Sequence, residues 1–117
     1  MNFPSPADNT PIAGFDLMQF LVPNPPATFL IRVVGNSMLN AGIFANDLLI
    51  ADRSLQPSNN DIIVAIIDDE FTVKRLIIKN SKYELHTENP AELQQIQVLN
   101  ESELNIWGVV KKVIHFV

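Results

Sequence analysis

Apolar and polar residues alternate along most of the chain with the two-residue period of β-strands. Runs rich in β-branched and aromatic residues occupy positions 28–34, 47–51, 61–67, 70–78, 83–87 and 106–117, with a shorter run at 94–99. Asp68 and Asp69 separate two of these runs and favour a tight hairpin turn, while Gly108 inside the last run indicates a bulge or bend. The pattern predicts a mainly β domain with a twisted, partly closed antiparallel sheet.

The N-terminal part of the chain follows a different pattern. Residues 1–12 are rich in proline, asparagine, serine and aspartate, which predicts an extended arm ahead of a single globular domain at 13–117. Residues 16–22 form a short apolar run behind Asp16, a favourable N-cap, so we predict one short helix there. Prolines at 23, 25 and 26 end it.

Composition narrows the classes of function. The 117 residues carry a net charge of -5, which disfavours direct nucleic-acid binding by this domain. Cysteine is absent, so disulfides, thiolate metal sites and a cysteine nucleophile are excluded, and no cofactor is expected. The sequence has no apolar run of membrane-spanning length and no basic-then-apolar leader, so we expect no membrane association and a cytoplasmic location.

Two groups of titratable residues are interpreted without a chemical role. His86 and His115 each lie in a strand-like run without a second ligand at metal spacing, and we interpret both as partly exposed strand side chains. The acidic cluster at 68–70 is explained more simply as a solvated turn than as a pair of catalytic carboxylates. No metal site is expected.

The segment 35–38 is the first candidate for chemistry. Ser37 follows a predicted strand and precedes a turn-prone stretch, and Gly35 permits a sharp bend. A hydroxyl at such a junction projects from the sheet while nearby backbone N–H groups stay free to face an oxyanion. The alternative is a serine that only forms the turn, and this segment alone does not decide between them.

Lys74 is the second candidate, because it interrupts an apolar strand. The strand period puts Thr72, Lys74, Leu76 and Ile78 on one face and Arg75 on the other. Lysine can lose its proton when desolvated, whereas arginine cannot, so only Lys74 could act as a base. The Thr72 hydroxyl could orient the neutral amine. A lysine on a solvated strand face is the alternative interpretation.

Taken together, several segments resemble the LexA/UmuD family of self-cleaving serine peptidases over nearly the whole chain. They are 3–7, 16–17, 35–38, 47–50 with Asp52, 60–65, 70–76 and 108–110. Within that family the chain is most similar to the shortened, activated accessory subunit of a DNA-damage-induced mutagenic polymerase. Asn36, where the family commonly has Asp, and Asn46, where it commonly has Gly, are departures at turns.

The resemblance implies a mechanism and a set of partners. Ser37 would attack a peptide carbonyl, neutral Lys74 would take its proton, and the backbone N–H groups of Asn36 and Ser37 would hold the oxyanion. The family cleaves a bond between a small residue and Gly in an N-terminal arm. Aligned on the segment 3–6, that bond falls at positions 1 and 2, so we expect this chain to lack its substrate arm.

The partners implied are a second copy in a homodimer, a Y-family DNA polymerase subunit and the RecA filament. The family leaves a second function open, the C-terminal dimerisation and self-cleavage domain of a LexA-like or phage repressor. A processing peptidase for exported proteins, from a different class, is disfavoured because the sequence shows no membrane anchor.

Overall fold

A computed structural model of the chain describes residues 11–14, 16–91 and 96–117. Helix α1 spans Leu17–Leu21, and the Asp16 carboxylate accepts hydrogen bonds from the N–H groups of Met18 and Gln19 at 3.0 and 3.2 Å. The predicted helix and its N-cap are therefore confirmed. The predicted arm lies outside the described residues except at 11 and 12. In the described part of the chain, no helix is long and apolar enough to cross a membrane.

Within the described residues the remaining regular structure is one antiparallel sheet. Its strands are β1 (Thr28–Arg32), β2 (Leu48–Asp52), β3 (Ile62–Ile67), β4 (Glu70–Lys79), β5 (Lys82–His86), β6 (Ile96–Leu99) and β7 (Ile106–Ile114). They lie in the order β1-β2-β7-β3-β4-β5-β6, and short 3₁₀ turns occur at Pro25–Ala27, Leu39–Ala41 and Glu101–Glu103. The predicted mainly β, antiparallel fold is confirmed. The sheet is not closed, because β1 and β6 lie at its two edges, so the partial closure expected from the sequence is not found in the pairing of the described strands.

Two tight turns fix the ends of β4. Asp68 and Asp69 connect β3 to β4 with φ of 51° and 63°, and Asn80 and Ser81 connect β4 to β5 with φ of 46° and 67°. Positive φ at both central residues is what a two-residue type I′ hairpin requires. The hairpin turn predicted at Asp68-Asp69 is confirmed.

Strand β7 is irregular near Gly108, as predicted. Val64 pairs with Gly108 but Ala65 pairs with Ile106, so Trp107 is an extra residue in β7. Such a bulge bends and twists a strand. The strand ends at Ile114 and lies inside the sheet between β2 and β3, so much of the predicted run at 106–117 is covered on both edges.

Buried apolar side chains form two clusters. The loop-side cluster consists of Val33, Met38, Ile43 and Leu49. The hairpin-side cluster consists of Ile63, Ala65, Leu76 and Leu85. The first lies around the connection between β1 and β2, and the second lies on strands β3, β4 and β5, so the candidate residues Ser37 and Lys74 belong to different halves of the fold.

Candidate active site

Ser37 lies in the long connection between β1 and β2, which leaves the sheet immediately after Val33. Gly35 has φ of 82°, a left-handed conformation that glycine adopts without steric cost, so the predicted bend is confirmed. Ser37 is half-buried, whereas the next residue, Met38, is buried in the loop-side cluster. Burial of Met38 anchors the connection directly behind the serine.

Hydrogen bonds hold this connection to the segment after β5. The Glu88 N–H donates to the Ser37 carbonyl at 2.9 Å, and the Asn40 N–H donates to the Glu88 carbonyl at 2.7 Å. The Asn89 side-chain amide donates to the Asn36 carbonyl at 2.7 Å. Hydrogen bonds therefore hold the backbone carbonyl groups on both sides of the Ser37 Cα, those of Asn36 and of Ser37 itself.

The Asn36 side chain closes the connection from the other direction. Its carbonyl oxygen accepts a hydrogen bond from the Ala45 N–H at 3.1 Å. Among the described residues, the backbone N–H groups of Asn36 and Ser37 donate to no backbone carbonyl. Two such donors beside a serine are suited to an incoming negative oxygen.

Thr72 and Ser37 line the same cavity. The volume of this cavity is about 310 Å³. Apolar side chains from β1, from the connection after it and from β4 also line the cavity, including Ile31, Val33, Met38, Ile43, Phe71 and Val73. The Thr72 hydroxyl donates a long hydrogen bond of 3.5 Å to the Glu70 carbonyl. A bond at that length is weak, so the hydroxyl is little committed to the backbone.

Lys74 lies two residues along β4 from Thr72 and is half-buried. It is opposite Ile63 in the β3–β4 pairing, and Thr72 is opposite Ala65, so both side chains share the face predicted for them. Leu76, next on that face, is fully buried, and Ile78 is half-buried. Both apolar residues expected on the Lys74 face are thus at least partly buried.

The connection that carries Ser37 approaches β4 where the β4–β5 pairing stops. The last pair is Arg75 with His86, so residues 70–74 of β4 have no partner in β5. Beyond this point the chain leaves β5 and its next residues bind the connection that carries Ser37. The structure thus brings Ser37 and Thr72 to one cavity, with Lys74 on the strand that forms its wall.

Sequence reasoning missed the contacts of Glu88. Both carboxylate oxygens of Glu88 accept hydrogen bonds from Arg75, each at 3.0 Å. These bonds hold the pKa of the Glu88 carboxyl below its ordinary value, against the opposing effect of partial burial. The sequence signal that could have indicated this contact is Arg75 itself. Its permanent charge lies on a strand face that is otherwise apolar, and such a charge needs an acidic partner.

The two histidines also have partners that the sequence did not reveal. His86 Nε2 lies 2.8 Å from Glu84 Oε1, and His115 Nδ1 lies 2.6 Å from Asp47 Oδ1. Burial of Asp47 raises its pKa, but the hydrogen bonds from the Phe44 N–H and His115 outweigh it, so the net pKa is lowered. His115 follows the end of β7 and ties the C-terminal segment to the connection after Ser37.

Three or more His, Asp or Glu side chains do not gather anywhere in the described ranges in a way that could hold a metal ion.

The amino-acid sequence has known relatives. The profile of the family described as Peptidase S24-like matches residues 1–111, and the chain belongs to that family of self-cleaving serine peptidases. Protein ImpA of Escherichia coli is 40% identical over 113 residues, which cover 97% of this chain and 76% of ImpA.

The chain is also similar to two further proteins. Protein MucA of Escherichia coli is 40% identical over 92% of this chain and 73% of its own length. The LexA repressor of Oleidesulfovibrio alaskensis is 42% identical over 85% of this chain but only 47% of the repressor. The sequence-based identification of the LexA/UmuD family is confirmed.

Proposed function

We propose that this chain is a Ser–Lys peptidase-fold subunit of an error-prone translesion DNA polymerase in the SOS response. The observation that carries the peptidase part is the shared cavity of Ser37 and Thr72, with Lys74 on the strand that forms the cavity wall. The similarity to ImpA and MucA over most of the chain supports the family. The accessory role rests on the resemblance described above for the segments 3–7, 35–38 and 70–76.

In the proposed reaction, the Ser37 Oγ attacks a peptide carbonyl carbon while its proton passes to the neutral amine of Lys74. The N–H groups of Asn36 and Ser37 stabilise the tetrahedral oxyanion, and Thr72 orients the amine. The peptide C–N bond then breaks, and the proton on Lys74 goes to the leaving nitrogen. Water hydrolyses the acyl-serine and regenerates both groups.

Cleavage in trans tests this dyad. An arm-bearing relative whose own nucleophile is disabled should be cut by the wild-type chain, and Ser37→Ala and Lys74→Ala should each abolish the cut. Ser58→Ala and Lys79→Ala are matched controls, because both positions are exposed and lie outside the cavity. Full activity in Ser37→Ala would exclude Ser37 as the nucleophile.

The accessory role is tested separately from the chemistry. Ser37→Ala replaces one half-buried hydroxyl and should change the free energy of unfolding by no more than about 1 kcal/mol. In a strain that lacks its native subunit, this folded variant should still support damage-induced mutagenesis and copurify with a Y-family polymerase and RecA. Loss of mutagenesis would mean that the hydroxyl serves a later step.

A homodimer in the cytoplasm completes the proposal. Large exposed apolar side chains line one open cavity between β1 and the start of β4, among them Phe29, Leu30 and Phe71. Apolar surface of this kind is typical of protein interfaces. Sedimentation equilibrium at tens of micromolar should give the mass of two chains, and a monomer there would contradict the dimer.

The second candidate function is a repressor's dimerisation and self-cleavage domain. The match to the LexA repressor over 85% of this chain favours it. Operator-dependent repression by the natural gene product, without copurification of a polymerase, would decide for this alternative.

A further inference from the structure

Glu88 connects the serine-bearing segment to the lysine-bearing strand. Its backbone binds the connection twice, through its N–H to the Ser37 carbonyl and through its carbonyl to the Asn40 N–H. Its carboxylate binds the Arg75 guanidinium through both oxygens. One residue therefore contacts the proposed nucleophile with its main chain and the neighbour of the proposed base with its side chain.

Arg75 is itself held in place on β4. Its Nη1 donates to the Asn60 carbonyl at 2.8 Å, in addition to the two bonds to Glu88. A planar guanidinium that meets both oxygens of a carboxylate fixes direction as well as distance, which an ammonium ion cannot do. The side chains of Arg75 and Glu88 are only 27% and 25% exposed, so solvent screens this ion pair less than it would screen an ion pair on the open surface.

The pair lies where the regular pairing of the sheet ends. Arg75 and His86 form the last pair of β4 and β5, and beyond them none of the strands in the described part of the chain flanks this edge of β4. The Glu88 contacts there link the connection to β4, together with the packing of Val73 against the loop-side cluster. Because Arg75 follows Lys74 directly in the chain, we expect a shift of Glu88 relative to β4 to change the separation of Ser37 and Lys74.

We propose that the Arg75–Glu88 pair is a positioning element that sets the separation of the Ser37 hydroxyl and the Lys74 amine. This inference rests on the proposed Ser–Lys function. Proton transfer requires hydrogen-bond distance, and a misplacement of about 1 Å can cost on the order of 100-fold in rate. The pair acts through Ser37 and Lys74 and contacts neither the scissile bond nor the transferred proton.

Two variants separate geometry from charge. Glu88→Gln keeps the size of the side chain but removes its charge and one acceptor, whereas Arg75→Lys keeps the charge but removes the two-pronged contact. Lys79→Gln is the matched control. Lys79 lies on the same strand and forms an ion pair with Glu84, but this is a single 3.8 Å contact at the far end of β4.

The experiment measures single-turnover cleavage of the nucleophile-disabled, arm-bearing relative over a range of enzyme concentrations and pH. Glu88→Gln and Arg75→Lys should each lower the maximal rate 10-fold to 100-fold. The half-saturating enzyme concentration should change less than threefold, and the pH midpoint should stay in place. Lys79→Gln should remain within twofold of wild type. Circular dichroism and thermal melts identify the temperature at which every variant is folded, and rates are compared there.

The outcomes are distinguishable. If wild type does not cleave, the proposed peptidase function fails. If wild type cleaves and both pair variants stay within twofold of it, the positioning inference alone fails. If Arg75→Lys is unaffected while Glu88→Gln shifts the pH midpoint, the pair acts through its charge on the base, which also overturns the positioning role.

Discussion

The loop-side and hairpin-side clusters bury similar side chains but are held together differently. In the hairpin-side cluster, Ile63, Ala65, Leu76 and Leu85 all lie on strands whose backbone groups pair with each other. In the loop-side cluster, Val33, Met38 and Ile43 lie outside the strands, and the polar residues Asn36, Asp47, Glu88 and Asn89 bind the backbone around them.

This difference suits the proposed chemistry. A nucleophile needs a projecting hydroxyl and unpaired N–H groups beside it, and a regular strand has already committed those groups to its neighbours. A base needs a fixed position in an apolar setting, which a strand provides. Placing one partner in each half satisfies both needs, provided that side-chain hydrogen bonds keep the halves aligned.

The largest predicted effect removes a side chain from the hairpin-side cluster. Leu85 is 1% exposed, and Leu85→Ala should lower the free energy of unfolding by about 3 kcal/mol through lost burial and the resulting cavity. Urea denaturation measures the loss. Cleavage by the molecules that remain folded should stay within twofold of wild type, because Leu85 lines no part of the Ser37 cavity.

Met38→Ala provides the matching change in the loop-side cluster. Met38 is 2% exposed and lines the Ser37 cavity, so its truncation should cost about 2 kcal/mol of stability. It should also lower cleavage by folded molecules about tenfold, because the backbone behind Ser37 loses its anchor. If Leu85→Ala and Met38→Ala reduced cleavage per folded molecule equally, the two halves would not differ in the way described.

Acid should weaken the loop-side half through its carboxylates. The pKa values of Asp47 and Glu88 are lower in the folded chain than their ordinary values. The unfolded chain therefore binds more protons in that range, and the stabilisation is complete above the unfolded pKa values, near 4, and is lost as pH falls through the lower folded ones.

Urea denaturation between pH 6 and 3 measures this dependence. Asp47→Asn and Glu88→Gln should each flatten the fall in stability below about pH 4, where the ordinary carboxyl pKa values lie. Asp69→Asn, in the exposed turn before β4, is the control. An equally steep fall in all three variants would place the acid sensitivity elsewhere in the chain.

The smallest predicted effect is in the hairpin half. Ser81 has φ of 67°, so Ser81→Gly creates the Asn-Gly dipeptide that type I′ turns favour and should stabilise the fold by about 0.5 to 1 kcal/mol. Thermal denaturation measures the gain. Ser58→Gly, at an exposed position without positive φ, should give no such gain.

Local chemistry made much of the fold predictable from the sequence. The Asp16 cap, the Asp68-Asp69 turn and the shared face of Thr72 and Lys74 depend on neighbouring residues and on strand period, and all three are confirmed. The position of β7 inside the sheet and the pairing of Asp47 with His115, 68 residues apart, depend on topology. No local pattern encodes either.

The same limit applies to the candidate site. Gly35 and Ser37 predict a bend that carries a hydroxyl. The contact of Glu88 with Ser37, in contrast, depends on the register of β4 and β5, which brings residue 88 beside the connection. The direct separation of Ser37 and Lys74 stays a prediction, and cleavage in trans tests its consequence.

The two-residue turn between β3 and β4 has a consequence for how this chain could change over time. Adding one residue to that turn and sliding β4 by one position against β3 would put Arg75 on the face where Lys74 now lies. A guanidinium does not give up its proton, so Arg75 could not replace Lys74 as the base. The insertion would abolish the proposed reaction although every residue named in it would still be present in the sequence. A mutation can therefore abolish the proposed activity without replacing any residue that takes part in the reaction. In this family, the length of the turn between β3 and β4 matters as much as the identity of the serine and the lysine.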